Sequence, residues 1–201
     1  MKTKEPEMTS VTSVCVFCGS RVGNDSRYED AARALGREIG ERGMRLIFGA
    51  GSIGLMGVVA DAAAEAGGEV VGIIPEFLRR LEVGRTESDQ FIVTDSMHSR
   101  KQRMFEMSDA FISLPGGLGT LDETFEILTW RQLKLHDKPV VIWDVAGYWA
   151  PLANLIEATI EGGFSAPENR RLFDVATSLD EVFSFLAAAP VTPATTDTAR
   201  L

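Results

Sequence analysis

The chain has 201 residues, 45% hydrophobic and 24% charged, which suits one globular domain and leaves little room for a second. Its net charge of −9 argues against a polymeric nucleic acid as partner, since nucleic-acid phosphates demand a basic face, but allows a small anion held by a few local donors. No apolar run approaches the roughly 20 residues of a membrane helix, and residues 1–10 lack the apolar stretch of a secretory signal, so a cytoplasmic location is expected.

Residues 1–10 and the Pro/Thr-rich stretch 190–201 read as disordered tails around a single domain, 11–189. The apolar run 11–17 has strand character. Residues 28–42 place Ala31, Ala32, Leu35 and Ile39 on one helical face. A strand over 44–48, an Ala-rich helix over 55–66 and a strand over 70–74 follow, with Gly67–Gly68 ending the helix and Pro75 the strand. Residues 76–90 read as irregular and charged. Beyond them come a short strand at 91–94, a helix at 96–108, a strand at 110–114, a helix at 120–135, a strand at 139–143 and a helix at 148–161. A short run at 172–175 and a helix at 179–188 close the core.

The strands are almost wholly apolar and alternate with helices. That pattern predicts a Rossmann-like, doubly wound, mostly parallel sheet with helices on both faces. Ligands of such sheets bind beyond the carboxyl ends of the strands. Three glycine-rich turns fall there: CGSRVG (18–23), GAGSIG (49–54) and PGGLGT (115–120).

Cys15 and Cys18 form a C-x-x-C, but an offset of three at the end of a strand points to opposite faces. With no second cysteine pair or histidine cluster, they read as buried, reduced thiols. GAGSIG fits the dinucleotide fingerprint G-x-G-x-x-G, yet it lies on the second βα turn, and the next strand is followed by Pro75 before its first acid, Glu76. NAD(P) is therefore not expected. PGGLGT lacks the lysine of a phosphate-binding P-loop. It suits either a phosphate cradle built on a helix N-terminus or a tight turn in which Thr120 caps the helix. Asp122 suits a first helical turn. Glu123, beside an anion, needs a cationic partner, and Arg100 and Lys101 in MHSRK (97–101) are candidates, unless they belong to a solvated helix face. His98 and His136 stand in no metal-ligand spacing, and His136 reads as structural or solvated. No Ser-His-Asp set is present, and no lysine setting suggests a Schiff base, so pyridoxal chemistry has no support; with the histidine and cysteine spacing above, neither a metal nor a cofactor is expected.

The two motifs PGGLGTLDE and MHSRK match P-G-G-x-G-T-x-x-E and M-H-x-R-K. In this order they resemble the Lonely Guy (LOG) family of cytokinin riboside 5′-monophosphate phosphoribohydrolases, some of which carry the label lysine decarboxylase. VCVFCGS, GSIGLMG, SDAFISLPGGLGT, FEILTWRQL and HDKPV extend the resemblance over most of the core. It implies hydrolysis of the N-glycosidic bond of N6-modified adenosine 5′-monophosphates, and of AMP, to free base and ribose 5-phosphate. It further implies Arg100 and Glu123 as the catalytic pair, with Arg100 holding Glu123 ionised. Gly116, Gly117, Leu118, Gly119 and Thr120 would hold the 5′-phosphate. Ser20, Gly51, Glu82, Met97, Lys101 and Thr129 would contact substrate.

Departures from the family pattern are Ala50 for a common glycine, Asp122 for a common glutamate, Leu118 for a common aromatic, and a loose match over 81–90. The Ala50 methyl is expected to narrow the space beside the ribose. Phe125, Leu128, Trp130 and Leu133 are more large apolar residues than one core-facing stripe needs, and with the resemblance they predict a homodimer. A general purine nucleoside monophosphate hydrolase and a carrier resembling molybdenum-cofactor carriers are the competing readings.

Overall fold

The structure, a computed structural model, describes residues 11–79 and 90–189. The expected tails and Glu82 lie outside the described residues. Strands β1 (Ser13–Phe17), β2 (Arg45–Phe48), β3 (Glu69–Pro75), β4 (Gln90–Thr94), β5 (Ala110–Ser113), β6 (Val140–Trp143) and β7 (Asp174–Ala176) form one sheet in the order β4-β3-β2-β1-β5-β6-β7. Every pairing is parallel. The chain winds outward one way from β1 to β4, then crosses back to set β5 on the other side of β1. The expected doubly wound sheet is therefore present.

Helices α1 (Ser26–Glu41), α2 (Gly54–Glu65), α3 (Glu76–Arg79), α4 (Met97–Glu106), α5 (Leu118–Gln132) and α6 (Ala150–Glu161) lie between the strands, and α7 (Leu179–Ala188) follows β7. β1 shows how they divide. Val14, Val16 and Cys18 join a core with Leu35 and Ile39 of α1, Leu55 and Val59 of α2, and Phe183 of α7. Cys15 and Phe17 face the other side, against Met104 and Phe105 of α4 and Ile127 and Leu128 of α5. The two cysteines are free, buried and on opposite faces, as their offset predicts. Burial first, and the charge of Glu123 next, push both thiols up.

Several boundaries differ from expectation. Within 76–90, Glu76–Arg79 forms one helical turn. Helix α5 starts at Leu118, two residues before Thr120, because Gly117 takes the extended N-cap conformation. Thr120 is thus not the cap, and Asp122 and Glu123 move from the first helical turn to the second. Helix α6 starts at Ala150 rather than 148, after a 3₁₀ turn at Val145–Gly147. His136 is structural: its Nε2 lies 3.0 Å from the Ile127 carbonyl, its Nδ1 accepts from Lys138 N at 3.1 Å, and burial pushes its pKa down to about 4. No described helix is long and apolar enough to cross a membrane.

Helices α1 and α2 pack tightly through Gly36. A Cβ there would lie 2.2 Å from the Val59 carbonyl oxygen and 3.0 Å from Ala62 Cβ. Gly36→Ala is expected to cost about 1–3 kcal/mol by overpacking. Urea denaturation should show this as a lower midpoint at unchanged slope.

Candidate active site

The three glycine turns meet at the carboxyl ends of β1, β2 and β5. Gly19 joins them: its N–H donates to the Pro115 carbonyl at 3.0 Å, and its carbonyl accepts from Leu55 N at 3.0 Å. Gly54, with φ of +68°, allows the approach, since a Cβ there would meet the Ser20 carbonyl carbon at 2.2 Å.

Helix α4 delivers Arg100. Ser96 and Ser99 form a reciprocal capping box, with Ser99 N donating to Ser96 Oγ at 3.1 Å and Ser96 N to Ser99 Oγ at 3.2 Å. This fixes the first turn and aims Arg100 under the sheet edge. Arg100 is 8% exposed. Its Nε donates to the Ile73 carbonyl at 3.0 Å and its Nη1 to Glu123 Oε1 at 2.8 Å. A Cβ on Gly49 would lie 2.2 Å from Arg100 Nη2, so only glycine at 49 leaves room for the guanidinium. The cationic partner that Glu123 requires is thus Arg100.

Glu123 is itself largely buried, its side chain 13% exposed. Burial raises its pKa above the ordinary carboxylate range, and the opposing charge and hydrogen bond of Arg100 offset this only in part. Arg100 thus favours the ionised form of Glu123, as expected of a neighbouring cation, but does not cancel the effect of burial.

Lys101 is occupied differently. Its Nζ lies 2.8 Å from Asp122 and 3.3 Å from Glu126. Burial lowers its pKa, but the two carboxylates outweigh that and leave it raised. Asp122 is thus engaged by a lysine rather than by the helix dipole.

The loop after β5 is open on one side. A Cβ on Gly117 or Gly119 would meet nothing within 4 Å, and Leu118 is 85% exposed. Helix α5 has no side-chain cap. Its first intrahelical bond is Leu121 N to the Gly117 carbonyl at 3.1 Å, so the preceding N–H groups have no helical acceptor. Gly119 and Glu123 are four residues apart and share a helix face, and helical side chains lean toward the N-terminus. The Glu123 side chain therefore leans toward the N-terminal end of α5, where its carboxylate meets Arg100. Thr120 is not part of the loop's open side. It is buried, and a Cβ on Gly116 would collide with its Oγ1 at 2.1 Å.

Of the remaining expected residues, Ser20 and Met97 are exposed at the crevice rim, and Gly51 is buried beside Met56. Thr129 is exposed on α5, more than a helical turn past Glu123, and the single chain does not bring it to the site. Ala50 has φ of 63°, and its methyl lies 2.9 Å from where a Gly72 Cβ would be. It packs on β3, so it does not narrow the open side of the crevice as expected.

Residue types alone concealed three contributors. Ser113 and Thr124 share a buried hydroxyl contact of 2.8 Å, and Thr124 donates to the Thr120 carbonyl at 2.7 Å, tying α5 to β5. Tyr148, after β6, donates its hydroxyl to the Gly116 carbonyl.

The family model described as "Possible lysine decarboxylase" matches residues 56–186. The cytokinin riboside 5′-monophosphate phosphoribohydrolase LOG1 of Arabidopsis thaliana is 46% identical over 170 residues, 84% of this chain and 79% of that protein. The enzyme LOG of Oryza sativa subsp. japonica, of the same name, is 43% identical over 169 residues, 84% of this chain and 70% of that one. Among solved structures, the molybdenum cofactor carrier protein of Chlamydomonas reinhardtii superposes with a TM-score of 0.63 over 88% of this chain and 99% of its own. At 22% identity it speaks to the fold alone.

Removing the guanidinium deprives Glu123 of its two largest pKa-lowering influences while desolvation remains. Arg100→Met is therefore expected to raise the Glu123 pKa further. Carboxyl ¹³C chemical shifts of labelled glutamate, followed against pH, read this directly. An unchanged or lower midpoint contradicts it.

Proposed function

The chain belongs to the Lonely Guy (LOG) family, and we propose that it hydrolyses the N-glycosidic bond of N6-modified adenosine 5′-monophosphates and of AMP, releasing free base and ribose 5-phosphate. The observation that carries this reading is the buried Arg100–Glu123 pair, 2.8 Å apart, beside an open glycine loop at a helix N-terminus.

Anions suit that N-terminus, where free N–H groups and the helix dipole act together. A 5′-phosphate seated over Gly117–Gly119 brings the sugar above Glu123. Glycosidic cleavage builds positive charge on the ribose ring. The Glu123 carboxylate stabilises that charge and orients or deprotonates the attacking water. Arg100 positions it and draws its pKa back toward ionisation. Lys101, already held by two carboxylates, fixes the α4–α5 face and is not the phosphate ligand. That pairing also leaves Lys101 without the freedom a Schiff-base lysine needs. A carrier has no use for a buried carboxylate beside its ligand, so the pair favours hydrolysis over carriage.

The unit doing this work is the single domain 11–189, acting in the cytoplasm, where its buried thiols stay reduced. It acts as a homodimer. Phe125, Leu128 and Trp130 have partners within the chain, so they carry no weight here. Support comes from Leu133, 62% exposed at the C-cap of α5, and Leu155, 55% exposed on α6, a helix with one buried residue, Leu152. Thr129, exposed on the same α5, reaches substrate only if the partner's crevice lies against it. Sedimentation velocity at assay concentration tests this, and a fully active monomer overturns it.

Glu123→Gln is expected to lose hydrolysis of AMP and N6-isopentenyl-AMP by roughly 10²–10⁴-fold. Released ribose 5-phosphate is the readout. In the unsubstituted protein, activity should fall as pH drops through the raised Glu123 pKa, so the acid limb lies above the ordinary glutamate value. Near-normal turnover by a folded Glu123→Gln protein rejects the assignment.

A further inference from the structure

Tyr148 touches the glycine loop from outside. It follows the 3₁₀ turn Val145–Gly147, in which Ala146 has φ of 59° and Gly147 φ of 76°. Alanine rarely adopts that conformation, so the turn is held by its surroundings. Asp144 Oδ1 accepts from Trp149 N at 2.6 Å and fixes the far end. The Tyr148 ring is held edge-on by Tyr28 at 5.7 Å and by Trp149 at 5.1 Å. So placed, its hydroxyl donates to the Gly116 carbonyl.

We propose that Tyr148 is a positioning residue for the anion-binding loop, setting through the Gly116 carbonyl the direction in which Gly117 N–H meets a phosphate. This rests on the phosphate-loop reading above.

The argument is one of peptide geometry. No described residue has a cis peptide bond. In a trans peptide the carbonyl of one residue and the N–H of the next point in opposite directions. Holding the Gly116 carbonyl toward Tyr148 turns the Gly117 N–H the other way. A Cβ on Gly117 meets nothing within 4 Å, so the loop has open space about it. Between two glycines this peptide unit is unusually free to rotate. A flip would present a carbonyl oxygen, not an N–H, to an anion. The preceding carbonyl, that of Pro115, is already held by Gly19 N at 3.0 Å. Tyr148 thus fixes the one unit that Gly19 leaves free.

Tyr148→Phe removes the hydroxyl and keeps the ring contacts. Calorimetry with ribose 5-phosphate should show Kd weakened about tenfold, the effect of one hydrogen bond. In ¹⁵N–¹H spectra, the shift of the Gly117 amide on adding ribose 5-phosphate should shrink in the same protein. Tyr28→Phe, which removes the hydroxyl of the neighbouring ring, should bind as the unsubstituted protein does. Equal Kd and equal Gly117 shift in Tyr148→Phe overturn the inference and leave the proposed hydrolysis intact. Equal weakening in Tyr28→Phe assigns the effect to loss of any hydroxyl in this aromatic cluster, not to the Gly116 contact, and also overturns it. If the unsubstituted protein fails to bind ribose 5-phosphate, the phosphate-loop reading fails and the inference with it.

Discussion

The peptide of Gly19 is the joint on which the crevice is assembled. It donates to the loop after β5 and accepts from the start of α2, so the turns after β1, β2 and β5 are held as one surface. The joint lies where the winding of the sheet reverses, between β1 and β5. Connections leave these neighbouring strands in opposite directions there, and a crevice opens. The joint also ranks the helix N-termini. The start of α2 is closed, because Leu55 N and Met56 N lie 3.0 and 3.4 Å from the Gly19 carbonyl. Among the described residues, the start of α5 has no such acceptor. Two glycine turns of similar appearance therefore differ in chemistry. GAGSIG looks like a dinucleotide loop but spends its first helical donors on the protein, and PGGLGT leaves its own without a helical acceptor.

Below this surface lies a buried ion pair. Removing one partner of such a pair costs about 3–5 kcal/mol, because the remaining charge is left in low dielectric. The pair is tolerable here because the Ile73 carbonyl takes a further guanidinium donor at 3.0 Å and Gly49 leaves space for the rest. The glycine turn after β2 therefore serves the site by making room for Arg100. The methyl of the next residue, Ala50, packs over Gly72 at the cost of a left-handed backbone.

The sheet and its order of elements were readable in the sequence because buried parallel strands leave uninterrupted apolar runs and turns leave glycines. The pairing of Arg100 with Glu123 was readable as a requirement, since a carboxylate beside an anion needs a cation. Three things were not. The start of α5 depended on the extended conformation of Gly117, which a glycine neither requires nor forbids. The raised pKa of Glu123 depended on burial, and a sequence shows the neighbouring charge but not the depth. Tyr148 lay in a segment read as the opening of α6, and only the left-handed turn before it separates the tyrosine from the helix and sends it to Gly116.

In the proposed reaction, depth is also what would give Glu123 its chemical leverage. A solvated carboxylate stabilises a cation weakly, because water screens the charge and must reorganise as the charge forms. A carboxylate already stripped of water has its charge poorly compensated in the resting state. In the proposed reaction the ribose ring becomes cationic only on the way to the transition state, so the compensation arrives at that point and not before. Arg100 must then be strong enough to help keep Glu123 ionised, yet not so strong that it satisfies the carboxylate completely. The contacts fit that balance. One guanidinium nitrogen, Nη1, meets one carboxylate oxygen, Oε1, while Nε is committed to the Ile73 carbonyl. A two-point clamp would neutralise Glu123 more fully and leave it less to offer the sugar.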